Sequence, residues 1–226
     1  MRMRNPKDKD ELINSCTYIY KGNFENKNKI CLEIGMGKGQ FILNMALLNP
    51  DINFIGVEKF SSVASVAIKK INKYKPNNLK ILIADIASVD KLLDKKIDTI
   101  YLNFSDPWPK DRHAKRRLTS SNYLKVYDKL FIKNAHIIQK TDNDNLFSYS
   151  LDEYKNYGYT INKISYDLHK ENIPNIMTEY EERFSKQGIK IKYLDVVKNL
   201  KDNLWDLYVT HLKLSVWKRY KIYNRG

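Results

Sequence analysis

At 226 residues, with 42% hydrophobic residues and a net charge of +14, the chain can bury a real core as one large domain or two small ones, and its charge points first to nucleic acid. No apolar run approaches the ~20 residues of a membrane span, and the charged start, MRMRNPKDKDELIN, lacks the apolar segment of a secretory signal, so a cytoplasmic protein without a membrane partner is expected. Two cysteines make no disulfide framework and the four histidines are scattered away from metal-ligand spacing, so no metal site is expected.

The abundance of Asn, Ile, Tyr and Lys also fits a compositional bias, so the charge counts as evidence only where it clusters. Residues 1–29 are polar and weakly patterned. They are predicted as an N-terminal arm with a short helix near Asp10–Tyr20, followed by one domain over residues 30–226. Arg2, Arg4, Lys7 and Lys9 suit nucleic acid and a solvated terminus equally.

Ile30–Ile34 (ICLEI) reads as a buried strand. Gly35-Met36-Gly37-Lys38-Gly39 follows at once, and Phe41–Leu48 then carries an apolar helix face. Strand, glycine loop and helix in this order bring backbone N–H groups close to a ligand without a Cβ in the way. The loop is no phosphate-binding GxxxxGK[ST]. Its third glycine also comes one residue too early for the dinucleotide fingerprint. G-x-G-x-G resembles the loop of S-adenosylmethionine-dependent methyltransferases, whose ligand has no pyrophosphate.

Asn53–Val57 is predicted as the second strand, with Glu58 at its end, where an acid can accept both hydroxyls of an adenosine ribose. NAD enzymes share that acid. Ser61–Lys73 has apolar residues near helical spacing. Leu79–Ala84 reads as the third strand and ends on Asp85, which is placed to accept from an adenine amine. Ile97–Phe104 is the fourth. Strands alternating with helices predict an α/β fold: a doubly wound, mostly parallel Rossmann-like sheet with right-handed crossovers. Glu58, Asp85 and Asp106 each follow a strand, and Glu33 lies inside the first strand just before the glycine loop. Ligands of such sheets bind beyond the carboxyl ends of the strands.

After the fourth strand comes SDPWPKDRHAKRR. Two close prolines cannot belong to a paired strand, so a loop starts here with an acid and an aromatic at its lip. Five of the eight residues from Lys110 to Arg117 are Lys or Arg. Trp108 suits stacking on a base and rigidifying the turn alike. Ser120–Phe131 reads as a helix and Asn134–Thr141 as a fifth strand that delivers Asp142 to the same edge. Phe147–Tyr154 reads as another helix. Thr178-Glu179-Tyr180-Glu181 has the spacing of a helix capping box. In the tail, Trp217, Tyr220 and Tyr223 alternate with Lys218, Arg219, Lys221 and Arg225, a mixture that suits single-stranded RNA and a strand overhang equally.

EIGMGKGQF (Glu33–Phe41), FIGVEK (Phe54–Lys59) and above all NFSDPWPKDRHAKRRL (Asn103–Leu118) resemble the bacterial tRNA (guanine-N7)-methyltransferase family. Lys140-Thr141-Asp142-Asn143 and Thr178–Glu181 resemble it further. The resemblance implies a class I methyltransferase fold with an antiparallel C-terminal strand, drawn from Tyr159–Tyr166 and Leu204–Leu214. It also implies methyl transfer from S-adenosylmethionine to N7 of a variable-loop guanosine in tRNA, leaving S-adenosylhomocysteine. Carried over by position, Glu33, Gly35, Gly37, Gly39, Glu58, Asp85 and Asp106 would hold the donor, and Asp106 would be catalytic. Lys110, Asp142, Thr178, Glu179, Tyr180 and Glu181 would meet the substrate base. Arg112, His113, Ala114, Lys115, Arg116 and Arg117 would touch RNA. Ala84 and Ile86 depart from the family pattern at the adenine pocket. A monomer or homodimer is expected. Methylation of an exocyclic amine is a poorer fit, because the loop has one proline where that chemistry's [DN]PP[YFW] has two. A non-catalytic RNA-binding module on the same fold is disfavoured by the intact acids.

Overall fold

The computed structural model describes Pro6, Asp8–Leu93 and Lys96–Leu200. The strand expected at 204–214, the aromatic basic tail and Arg2, Arg4 and Lys7 lie outside the described residues.

Seven strands form one sheet: β1 (Ile30–Ile34), β2 (Asn53–Glu58), β3 (Leu79–Ile83), β4 (Ile97–Asn103), β5 (Asn134–Thr141), β6 (Thr160–Ser165) and β7 (Lys192–Asn199). Their order is β3-β2-β1-β4-β5-β7-β6. β1 to β5 pair in parallel, and β7 runs antiparallel between β5 and β6. The antiparallel partner of β6 is thus Lys192–Asn199. Sequence patterning passes over it because KYLDVVKN alternates only partly, with buried Lys192 and Lys198 both spending their ammonium groups on acceptors near the strand ends.

β1 and β2 are buried along their whole length, as expected of central parallel strands covered on both faces. One face packs on α2 (Gln40–Leu48) and α3 (Ser61–Tyr74) through Ile42, Leu43, Ala64, Ala67, Ile68 and Ile71. The opposite face packs on α4 (Ser121–Asp128) and α5 (Asp144–Asn156) through Leu124, Tyr127, Phe147 and Tyr154. The described part of the arm is docked. Tyr20 donates its N–H to Ile81 at 2.8 Å, Ile81 donates to Tyr18 at 2.7 Å, and Asp8 pairs with Lys69 of α3 at 2.7 Å. Its helix, α1, is short, Lys9–Asn14. The expected helix at Ser120–Phe131 stops at Asp128, where the chain turns to lay Phe131 beside Ile97.

The strand order reverses direction between β1 and β4, which opens a crevice beyond their carboxyl ends. Two residues let the glycine loop fold into that crevice. Gly39 sits at φ +73°, and a Cβ there would lie 2.8 Å from the Cβ of Ala67, so α2 and α3 approach closely only through a glycine. In β2, a Cβ on Gly56 would meet the Met36 sulfur at 2.3 Å. The missing side chain gives Met36 its place in the core.

Candidate active site

Glu58, the last residue of β2, and Asp85 and Asp106, the acids after β3 and β4, line one cavity of about 770 Å³ together with Gly35. Apolar Phe60, Val63, Ile86, Leu118 and Tyr123 supply much of its wall. Flat apolar walls with a few carboxylates at the rim suit a nucleoside-like ligand.

Each acid is held differently. Glu58 is buried and accepts from the Gly37 N–H at 3.1 Å and the Phe60 N–H at 2.9 Å, so its carboxylate ties the glycine turn to β2. Asp85 caps the 3₁₀ turn Ile86–Lys91 through the Ala87 N–H and pairs with Lys59 at 2.7 Å; these partners hold its carboxyl below the usual range. Asp106 is exposed at the lip, and among the described residues no hydrogen bond or ion pair reaches its carboxylate.

Glu33 lies behind Asn103, enclosed and outside the cavity lining. One oxygen accepts from Asn103 at 2.9 Å, and the other has no hydrogen-bond partner among the described residues. Burial pushes its carboxyl up to about 8, against the opposing pull of Asn103, Lys140 and the Ile42 N–H. Gly35 and Gly37 have open space where a Cβ would stand. An open glycine turn beside a walled cavity with carboxylates at its rim fits a bound adenosine derivative.

The Asp106 loop is strained. Phe104 (φ +50°) and Trp108 (φ +42°) both occupy the left-handed region. That region costs a non-glycine residue roughly 1–2 kcal/mol. Arg117 offsets this strain: its Nε donates to the Pro107 carbonyl at 3.0 Å and its Nη2 to the Trp108 carbonyl at 3.1 Å. Charge-assisted bonds contribute ~1.5–3 kcal/mol each, enough to hold the loop. The guanidinium also lies on the Tyr149 ring, 4.3 Å from its centroid.

The basic block is therefore divided. Arg112, Lys115 and Arg116 are exposed, as is Lys110; Arg116 lies over Trp108 at 5.0 Å, and His113 meets the same ring edge-on at 5.7 Å. Ala114 contributes its carbonyl to the Arg117 N–H. Arg117 is buried and turned inward, because it closes the loop that its own neighbours follow. Its placement does not match the RNA contact expected of it from the sequence.

The substrate-side residues meet the cavity through Phe104. α6 (Glu179–Ser185) begins in the expected capping box, with the Glu181 N–H on the Thr178 hydroxyl at 2.9 Å. Tyr180 packs between Phe104 (4.9 Å) and Phe184 (4.2 Å) and donates its hydroxyl to Asp142 at 2.9 Å. Glu179 pairs with Lys70 of α3 at 2.5 Å. Glu181 departs from the expectation of a base contact. It is wholly buried, bonded to Lys140 and Asn175 at 2.5 Å each and to His169 at 3.2 Å. Its carboxylate anchors α6 to the end of β5 and leaves no face for a ligand. Asn103, Lys140, His169 and Asn175 escaped the sequence reading as site residues. Asn103 and Lys140 stand inside motifs that drew attention for other residues; His169 and Asn175 carry no local signal.

A seven-stranded sheet in this order, with a glycine turn after β1 and acids at the ends of β2 to β4, defines the methyltransferase class. A family model described as "Putative methyltransferase" matches residues 27–194. Among solved structures, an antibiotic-related methyltransferase shares the fold with a TM-score of 0.56 at 19% identity, covering 88% of this chain and 96% of that one. A 16S rRNA (adenine(1408)-N(1))-methyltransferase from Catenulisporales acidiphilia follows at 0.54 and 14%, covering 86% and 92%. At those identities the likeness speaks to the fold alone. Sequence relatives are nearer. A tRNA (guanine-N(7)-)-methyltransferase of Lachnoclostridium phytofermentans is 47% identical over 207 residues, which is 86% of this chain and 97% of that protein. One from Bacillus subtilis is 44% identical over 209 residues, 87% and 98%. The chain belongs to the bacterial tRNA (guanine-N7)-methyltransferase family.

Proposed function

We propose that this protein methylates N7 of a guanosine in tRNA, with S-adenosylmethionine as donor and S-adenosylhomocysteine as product, and that it does so in the cytoplasm. The observation that carries the reading is the meeting of Gly35, Glu58, Asp85 and Asp106 on one cavity beside the Asp142–Tyr180 pair. The donor supplies an electrophilic methyl group on a sulfonium. Glu58 would accept from a ribose diol and Asp85 from an adenine amine, while enclosed Glu33 would act on the donor through Asn103, which lines the cavity.

Guanine N7 has an in-plane lone pair and no proton to lose, so no general base is required. What the chain must supply is alignment and negative charge near a ring that becomes cationic. Asp106, without a side-chain partner among the described residues, would take the second task. Asp142, held by the Tyr180 hydroxyl, is placed to accept from the N1–H and amino donors of guanine. The exposed Arg112, Lys115 and Arg116 flank the lip and suit the surrounding phosphates.

The test is incubation with labelled donor and unmodified tRNA, followed by borohydride–aniline scission, which cleaves at 7-methylguanosine and reports its position. Label at one variable-loop guanosine supports the proposal. Label in an exocyclic amine, or none, refutes it. Asp106→Ala should abolish turnover while sparing tRNA affinity.

A further inference from the structure

The cation block after the Asp106 loop holds one member unlike the rest. Lys110, Arg112, Lys115 and Arg116 are exposed, whereas Arg117 retains only 6% of its surface. A guanidinium turned inward releases no counterions from a phosphodiester chain. Its donors go instead to two consecutive carbonyls, Pro107 and Trp108, and its face lies on Tyr149 of α5.

We propose that Arg117 is a positioning residue for methyl transfer: its fork fixes the Pro107–Trp108 backbone to α5 and thereby holds the Asp106 carboxylate at the cavity lip. The proposal rests on the functional reading above. Three observations carry it. Asp106 has no side-chain partner among the described residues, so only its backbone sets where the carboxylate stands. The loop is bracketed by left-handed Phe104 and Trp108, conformations that persist only when the surroundings impose them. The fork reaches the two carbonyls immediately after Asp106, and Arg matches such paired acceptors where Lys cannot. Arg116 and His113, which meet the other parts of Trp108, are ring contacts and leave the backbone unbonded.

The test compares Arg117→Lys, which keeps charge and stem but loses the fork, with Arg112→Ala. Single-turnover methylation at saturating tRNA should fall about 100-fold in Arg117→Lys, the loss expected of a displacement near 1 Å. Its tRNA affinity, and the salt dependence of that affinity, should match the wild type. Arg112→Ala should instead weaken tRNA binding and flatten its salt dependence. A wild-type rate for Arg117→Lys, or a loss confined to tRNA affinity with a flatter salt dependence, overturns the proposal. A second readout needs no catalysis. With Trp205 and Trp217 changed to Phe, acrylamide quenching of Trp108 should increase in Arg117→Lys and stay unchanged in Arg112→Ala; unchanged quenching in Arg117→Lys also overturns it. A wild type that transfers no methyl to tRNA would sink the functional reading instead, and the fluorescence would still decide the clamp.

Discussion

Replacing Glu33 by Gln probes the buried acid beneath the cavity. An ordinary carboxyl titrates near 4.5, and this one is pushed up to about 8 by burial. A raised value in the fold means that the folded protein holds the proton more tightly than the unfolded chain does. The stability tied to that proton is fully present below about 4.5 and is lost as pH rises to about 8. At ~1.36 kcal/mol per pH unit, the loss across this window is on the order of 5 kcal/mol. Glu33 is almost fully enclosed, so solvent screening takes little from that figure. Gln cannot ionise and should lack the slope. Its amide adds a pH-independent penalty of roughly 1–3 kcal/mol if a donor is left unpaired, so the slope is the readout and the absolute stability is not. The assay is urea unfolding of both proteins from pH 5 to pH 9, plotted as a difference. The variant should gain on the wild type by ~1.4 kcal/mol per unit up to about 8 and then level off. A flat difference would mean that Glu33 is ionised in the fold at neutral pH, and the reasoning would fail. Donor binding is the functional arm. A cationic donor in the cavity favours the charged form of Glu33, so binding should release a proton below pH 8, seen by calorimetry in buffers of different ionisation heat, and Gln should abolish that release.

Four further outcomes follow from the geometry. Gly39→Ala should destabilise by ~2–5 kcal/mol, combining left-handed strain with the overlap on Ala67. Gly37→Ala has open space and should cost only about 1–2 kcal/mol, the strain alone, while weakening donor binding; thermal melts and calorimetry separate the two. Glu181→Ala strands the buried Lys140 ammonium and should cost ~3–5 kcal/mol, whereas Glu181→Leu with Lys140→Met should recover much of it in the same denaturation assay. Arg112→Ala with Arg116→Ala should lower the log–log salt slope of tRNA binding by ~0.7–0.9 for each phosphate no longer neutralised, measured by filter binding; an unchanged slope would make that face merely solvated.

Much of this molecule is written in local pattern. ICLEI before three spaced glycines, NFIGV before Glu58 and the proline-broken run after Asn103 each specify a strand end from a few adjacent residues. The backbone rules for glycine and proline act within that range. The capping box at Thr178 is equally local and forms as its spacing demands. Parallel pairing then brings Glu58, Asp85 and Asp106 to one edge, because every parallel strand ends on the same side.

What only the tertiary structure decided is where charged side chains point. KRR looks like a uniform cationic strip, yet Arg116 faces the cavity and Arg117 turns into the protein, since a strained loop nearby needed two donors that no helix or strand supplied. TEYE looks like four ligands, yet Glu181 is consumed by Lys140, Asn175 and His169, three partners up to 41 residues away in the chain. A carboxylate or guanidinium can be met by solvent, by a ligand or by a distant residue, and its own sequence neighbourhood carries no information about which of the three arrives.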